Sequence, residues 1–213
     1  RWLLPFDRIW VPDDTARSLS GDLSRSRDPR VRCIGWQSTV VSNSDGEPRF
    51  KVAAIISGPE PQRSNLEKEV RPQLEALQIP CVLVRGKRGF DEARYRGNMT
   101  VYDYMGRQDI GRLLSQTEVV VCRTGYSSLM DLKSAGKKAI LVPTPAQPEQ
   151  LYLGKHLKDH PHYVVQKQGS IHIREALEEL SNRTAPGAVE SNSLFLHEAI
   201  IDFCALEKAQ DLV

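Results

Sequence analysis

The sequence holds no G-x-G-x-x-G run, so a dinucleotide-binding turn of that kind is not expected. It holds no C-x-x-C pair either. Cys33, Cys81, Cys122 and Cys204 are widely spaced, and Cys81 and Cys122 fall in apolar runs, where a free thiol behaves as a small hydrophobe. Reduced thiols and a cytoplasmic location follow as the simplest expectation. No apolar run approaches the roughly 20 residues of a membrane helix. Arg1-Trp2-Leu3-Leu4-Pro5-Phe6 is too short, and broken by proline, for a signal-peptide core. The chain opens on Arg1 rather than methionine, so further sequence upstream is expected. No Asp-x-Asp motif is present to hold a magnesium-bound diphosphate. Charge of either sign is not in excess: 29 basic against 27 acidic residues give a net +2. The one basic cluster, Arg25 to Arg32, reads as a solvated loop, and no nucleic-acid partner is expected. His156 and His160 stand four apart on an expected helix but lack the glutamate of a zinc motif, so no metal site is assigned.

What the 213 residues do hold is ordinary globular material, 40% hydrophobic and 26% charged, enough for one generous domain or one domain with part of another. From about residue 50 the pattern alternates short apolar runs with helical spacing. Strands are predicted at 52–56, 81–84, 100–104, 119–122, 139–142 and 163–165. Helices are predicted at 62–78, around 110–114, and at 128–135, 148–158, 170–181 and 193–206. Unbroken apolar strands alternating with helices predict an α/β fold, a Rossmann-like parallel sheet covered on both faces. Residues 1–49 break this rhythm, with two short strands near Arg8–Pro12 and Val31–Gly35. The expected organisation is therefore a tail of a preceding domain (1–41), a linker (42–49), the main domain (50–192) and a C-terminal helix (193–213).

In such a sheet the ligand crevice lies at the carboxyl ends of the strands, which makes the strand-to-helix turns the places to inspect. The most informative is Arg123-Thr124-Gly125-Tyr126-Ser127-Ser128, with Asp131 one helical turn later. Gly125 is expected to allow a tight turn. The amides of Tyr126, Ser127 and Ser128 then become the unpaired donors of a helix N-terminus, which attract an anion. Asp131 is placed to accept from a sugar hydroxyl, and the pair suggests a nucleotide. A rival reading takes Ser128-x-x-Asp131 as a capping box, with Asp131 reaching back to the cap amide. The residues alone leave the two readings level. Ser57-Gly58, followed by two prolines and Arg63, forms a second such turn, with Arg63 a candidate phosphate partner. Pro143 to Gln150 forms a third, in which Glu149 and Gln150 carry groups that fix sugar hydroxyls. Glu149 also suits a helix dipole after Pro148.

Taken in order, Val119 to Ser128, the stretch Gly136 to Pro145 and the pair Glu149-Gln150 before Leu151-Tyr152-Leu153 resemble the family 28 glycosyltransferase C-terminal domain. The resemblance covers roughly residues 50 to 165. The stretch Phe6 to Pro12 and the Ile34-Gly35 strand resemble the end of that family's N-terminal domain. The resemblance implies the donor half of a GT-B enzyme, binding a UDP-sugar as substrate and needing no cofactor. Asp131 falls on a ribose-binding position that is usually Glu, Tyr126 to Ser128 on the diphosphate turn, and Glu149-Gln150 on the sugar-reading pair. Ser57-Gly58 matches the loop facing the cleft, and Met105 to Asp109 a segment whose backbone meets uracil. The general base and the acceptor site would belong to the missing N-terminal domain or to a partner subunit, so no catalytic residue is assigned here. Any peripheral membrane association would come through that absent part.

The implied activity is metal-independent transfer of a hexose, of the N-acetylglucosamine kind, to an unknown acceptor. Two other readings stay open: a non-catalytic donor-binding subunit, and a nucleotide-sugar epimerase or hydrolase. The C-terminal helix is expected to carry Leu194, Phe195, Ile200, Ile201 and Phe203 on an apolar patch.

Overall fold

The computed structural model describes residues 6–38, 40, 48–89, 93–184, 186–187 and 193–210; the expected linker falls almost entirely outside them. The chain divides into two compact units, Arg1–Ser38 with Ser191–Val213, and Thr39–Glu190.

In the smaller unit, β1 (Ile9–Val11) and β2 (Val31–Cys33) form a two-stranded parallel sheet. Asp13 is fully buried between them and the turn at Ser20, accepting from the Ser20 amide at 2.7 Å and from the Ser20 hydroxyl at 2.5 Å. The C-terminal helix, Ser193–Gln210, belongs to this unit: Phe203 sits edge-on to Trp10 at 6.2 Å, and Asp202 pairs with Arg32. Phe195, Ile200 and Ile201 are exposed on it, whereas the side chain of Leu194 lies outside the described residues.

The larger unit runs β3 (Phe50–Ile55), α1 (Gln62–Ala76), β4 (Cys81–Val84), β5 (Arg94–Arg96), β6 (Met99–Tyr102) and α2 (Arg107–Ser115). It continues through β7 (Thr117–Cys122), α3 (Tyr126–Ser134), β8 (Lys138–Leu141), α4 (Pro148–His156), β9 (Tyr163–Val165) and α5 (Ile173–Ser181). The strands form one sheet in the order β5-β6-β4-β3-β7-β8-β9, parallel except for β5. Alternate strand residues serve opposite faces. Val52, Ala54, Val119 and Val121 join Leu66, Val70 and Leu74 of α1 and Ile173, Ala176 and Leu180 of α5 in one core. Ala53, Val82 and Val84 pack with Leu113 of α2 on the other face. Strands apolar on both faces are thus sandwiched, as their unbroken runs predict.

Most elements lie within a residue or two of their predicted places. β5 was not predicted, because Arg94, Tyr95 and Arg96 are all exposed and show no apolar alternation. The helix predicted from 128 begins two residues earlier, that predicted from 170 begins at Ile173, and α4 ends at His156, so His160 is not on it.

The order places the site. From β3 the chain crosses to β4 on one side, while β7 leads to β8 and β9 on the other, so the strand order reverses between β3 and β7. Ile55 and Cys122 are register partners, and the turns that follow them leave the sheet side by side. A doubly wound sheet opens its ligand crevice at such a point.

Candidate functional site

The turn after β7 ends at Gly125, which caps α3 without a side-chain hydrogen bond. Its φ of −74° is open to any residue, so glycine is not required here by backbone conformation, contrary to the tight-turn expectation. What glycine provides is room. A Cβ at this position would lie 3.9 Å from the Ser128 hydroxyl and 4.0 Å from Nε2 of Gln150, filling the space above the helix end. The first-turn amides, those of Tyr126, Ser127 and Ser128, have no acceptor within the helix. Ser127 is exposed, and Tyr126 and Ser128 are half-buried.

Because Gly125 is the cap, Ser128 stands in the third helical position and Asp131 lies past the first turn. The capping-box reading therefore fails on register. Asp131 instead borders, with Ser128, a cavity of about 130 Å³ whose other walls are Ile55, Val120, Cys122, Leu132 and the α2 residues Ile110 and Leu114. Its side chain is 21% exposed, and the Arg107 guanidinium stands 4.0 Å away. Burial, with a smaller contribution from the Asp131 charge, pushes the Cys122 thiol up to about 12, so this cysteine is an inert wall.

Met105 precedes Gly106, the cap of α2, and packs, as do Ile55, Tyr102 and Ile110, against the cluster of Ala53, Val82, Val84 and Leu113. Residues of α2 (Ile110, Leu114) and α3 (Ser128, Asp131, Leu132) thus wall one cavity, and Arg107 at the start of α2 stands near its Asp131. Arg107 was not singled out from the sequence. Its position at the start of a helix following a strand is the signal that would have found it.

Two sequence candidates are engaged elsewhere. Arg63 is buried; it donates to the Arg85 carbonyl at 2.9 Å and pairs with Glu60 and Glu67. It belongs to a chain of charges that continues through Arg85 and Asp103 to Arg94, so a phosphate contact is not its place. Arg123 is 1% exposed and donates to the carbonyls of Gln62 (2.7 Å), Val142 (3.3 Å) and Pro143 (3.4 Å). Burial lowers its ionisation to about 10. It ties the ends of β7 and β8 to the start of α1 rather than meeting a ligand.

Thr124 is likewise fully buried; its hydroxyl donates to the Gln150 carbonyl at 2.9 Å. Gln150 accepts from the Thr144 amide at 2.9 Å and leaves Nε2 beside Gly125. Glu149 is exposed in the first turn of α4, with Pro148 in the first helical position. Ser57 and Gly58 are exposed on the neighbouring turn; the φ of +106° at Gly58 suits only glycine, and nothing lies within 4 Å of a Cβ there. The structure therefore brings Ser57, Gly58, Gly125 to Ser128, Asp131, Met105, Glu149 and Gln150 to the strand ends, with Arg63, Arg123 and Thr124 beneath them as framework. Among the described residues no cluster of His, Cys, Asp and Glu is arranged to hold a metal ion.

The fold and this crevice define an α/β domain of the GT-B glycosyltransferase type. Residues 63–195 match the glycosyltransferase family 28 C-terminal domain, and the chain belongs to that family. A UDP-N-acetylglucosamine--N-acetylmuramyl-(pentapeptide) pyrophosphoryl-undecaprenol N-acetylglucosamine transferase of Elusimicrobium minutum is 36% identical over 139 residues, covering 63% of this chain and 34% of the relative. The like-named protein of Sulfurihydrogenibium sp. is 31% identical over 111 residues, covering 51% and 31%. The chain thus spans about a third of the length of these relatives. Among solved structures, the glycotransferase of kitacinnamycin aligns with a TM-score of 0.61 at 19% identity over 83% of this chain and 46% of that one. The glycosyltransferase SnogD from Streptomyces nogalater aligns at 0.55 and 12% identity over 92% and 55%. At these identities the solved structures speak for the fold alone.

Proposed function

We propose that this chain is the donor-binding part of a glycosyltransferase that takes a hexose, of the N-acetylglucosamine kind, from a UDP-sugar without a metal ion. The observation that carries the reading is the pairing of an uncapped helix end at Gly125 with Asp131 on the rim of a cavity between α2 and α3. The diphosphate lies over the α3 amides, the ribose hydroxyls meet Asp131, and the base meets the backbone at Met105 and Gly106. Nε2 of Gln150 and the exposed Glu149 face the sugar. The relatives named for N-acetylglucosamine transfer support that donor.

The chemistry follows from charge. As the glycosidic bond breaks, negative charge builds on the departing diphosphate. Fixed amides and a helix dipole stabilise it more in the transition state than in the ground state. The acceptor and the base that activates it are assigned to the part of the relatives that this chain does not span.

The test is calorimetric titration with UDP, UDP-N-acetylglucosamine and UDP-glucose, with and without EDTA. Binding of the nucleotides at unchanged affinity in EDTA is the expected result. Absence of binding by all three, or binding only with added magnesium, overturns the reading.

A further inference from the structure

At the amino ends of β8 and β9, opposite the strand ends that carry the nucleotide turns, lies a separate cavity of about 280 Å³. Its walls include Lys133 in the last turn of α3, Lys137 in the loop before β8, and His160, His162 and Tyr163 at the entry to β9. No carboxylate lines it among the described residues. The Lys137 ammonium is half-buried and has no hydrogen-bonding or ionic partner among the described residues, and burial lowers its ionisation.

The two histidines are held in fixed forms. The backbone amide of His162 donates to Nδ1 of His160 at 3.3 Å, which leaves the His160 proton on Nε2. The His160 ring stacks on Tyr163 at 4.3 Å, while Nδ1 of His162 stands 3.2 Å from the Thr184 carbonyl and carries its proton there. Burial holds His160 down to about 4, with smaller contributions in the same direction from His162, Lys133, His156 and Arg183. Arg183 has its own counter-ion in Glu179; Lys137 has none among the described residues. A pocket with two lysine ammoniums and two imidazoles in its walls, and no counter-ion for Lys137 among the described residues, suits an anion.

We propose that this cavity is a second ligand site, taking a phosphate group presented by a small ester or a lipid headgroup, held by Lys133, Lys137 and Nε2 of His160. N–H donors that come from separate elements suit the several oxygens of a tetrahedral anion. The volume leaves room for a small organic part beside it. The site lies at the other end of the sheet from the UDP turns and stands whether or not these bind a nucleotide.

The experiment follows the imidazole ¹⁵N signals of His160 and His162 in the full chain, so that phosphate at any other place is not mistaken for this one. Inorganic phosphate is titrated at constant ionic strength against sodium chloride, and phosphatidylglycerol vesicles against phosphatidylcholine vesicles. Saturable displacement of both signals by phosphate is expected, with at least a tenfold loss of affinity in Lys137→Gln. A response to phosphatidylglycerol vesicles alone assigns the phosphate to a lipid headgroup. Because Lys137→Gln removes an ammonium that has no counter-ion among the described residues, it should melt no lower than the wild type in phosphate-free buffer. An unsaturable response equal to that of chloride, or unchanged affinity in a folded Lys137→Gln chain, overturns the proposal.

Discussion

Thr124 and Gln150 lock two neighbouring turns together: the Thr124 hydroxyl donates to the Gln150 carbonyl at 2.9 Å, and the Gln150 side chain in turn accepts from the Thr144 amide. The turn after β7 is thereby held against the turn after β8, and Nε2 of Gln150 is aimed at the space over Gly125. Gln150→Ala should cost about 1–3 kcal/mol in urea unfolding, since it leaves a buried amide without an acceptor. Nucleotide-sugar affinity should fall further than UDP affinity, because the proposed donor placement sets the sugar, not the nucleotide, against this side chain.

Gly125→Ala separates backbone need from ligand need. The φ at this position suits alanine, and the nearest atoms to a Cβ lie at ordinary contact distance, so stability should change by less than about 0.5 kcal/mol. UDP affinity should fall at least tenfold, as the methyl group occupies the approach to the α3 amides. A melting curve and a calorimetric titration on the same sample check both halves.

Arg123→Met should behave in the opposite way. Removing the guanidinium strips the charged donor from three carbonyls and should destabilise the chain by about 2–3 kcal/mol. In the folded fraction, UDP affinity should stay within a few-fold of the wild type, because the side chain meets no ligand.

The acid limb of stability should have two parts. His160 has a folded value of about 4 against an ordinary 6.5, so its contribution is complete above 6.5 and is lost as pH falls towards 4. Burial alone would raise the Glu67 and Asp103 carboxyls, but the guanidiniums of Arg85, Arg71 and Arg94 overcome it and hold both below their ordinary 4.5 and 3.8. Their contribution is present above those values and is lost as pH falls further. Melting temperatures between pH 8 and 3 should therefore decline in two stages, with His160→Gln abolishing the upper stage and Asp103→Asn weakening the lower.

The sheet and the site turns were legible in the sequence because fully buried strands leave unbroken apolar runs, and a strand followed by the turn Arg123-Thr124-Gly125 announces a helix start. The roles of Arg63 and Arg123 were not. Their partners include the carbonyls of Arg85, Gln62, Val142 and Pro143, which every residue carries and no pattern marks. Ser128-x-x-Asp131 has the form of a capping box, but the helix is capped three residues before the box requires, at a glycine. The edge strand Arg94–Arg96 escaped notice because an exposed antiparallel edge has no apolar face to betray it.

The most direct measurement is UDP titration by calorimetry on the wild type and on Asp131→Ala, with a melting curve for each. The expected result is binding in the wild type, at least a tenfold loss in the variant, and a melting temperature within a few degrees, since Asp131 caps no helix. Equal UDP affinity in a folded Asp131→Ala chain would contradict the placement of the ribose and with it the donor-site assignment.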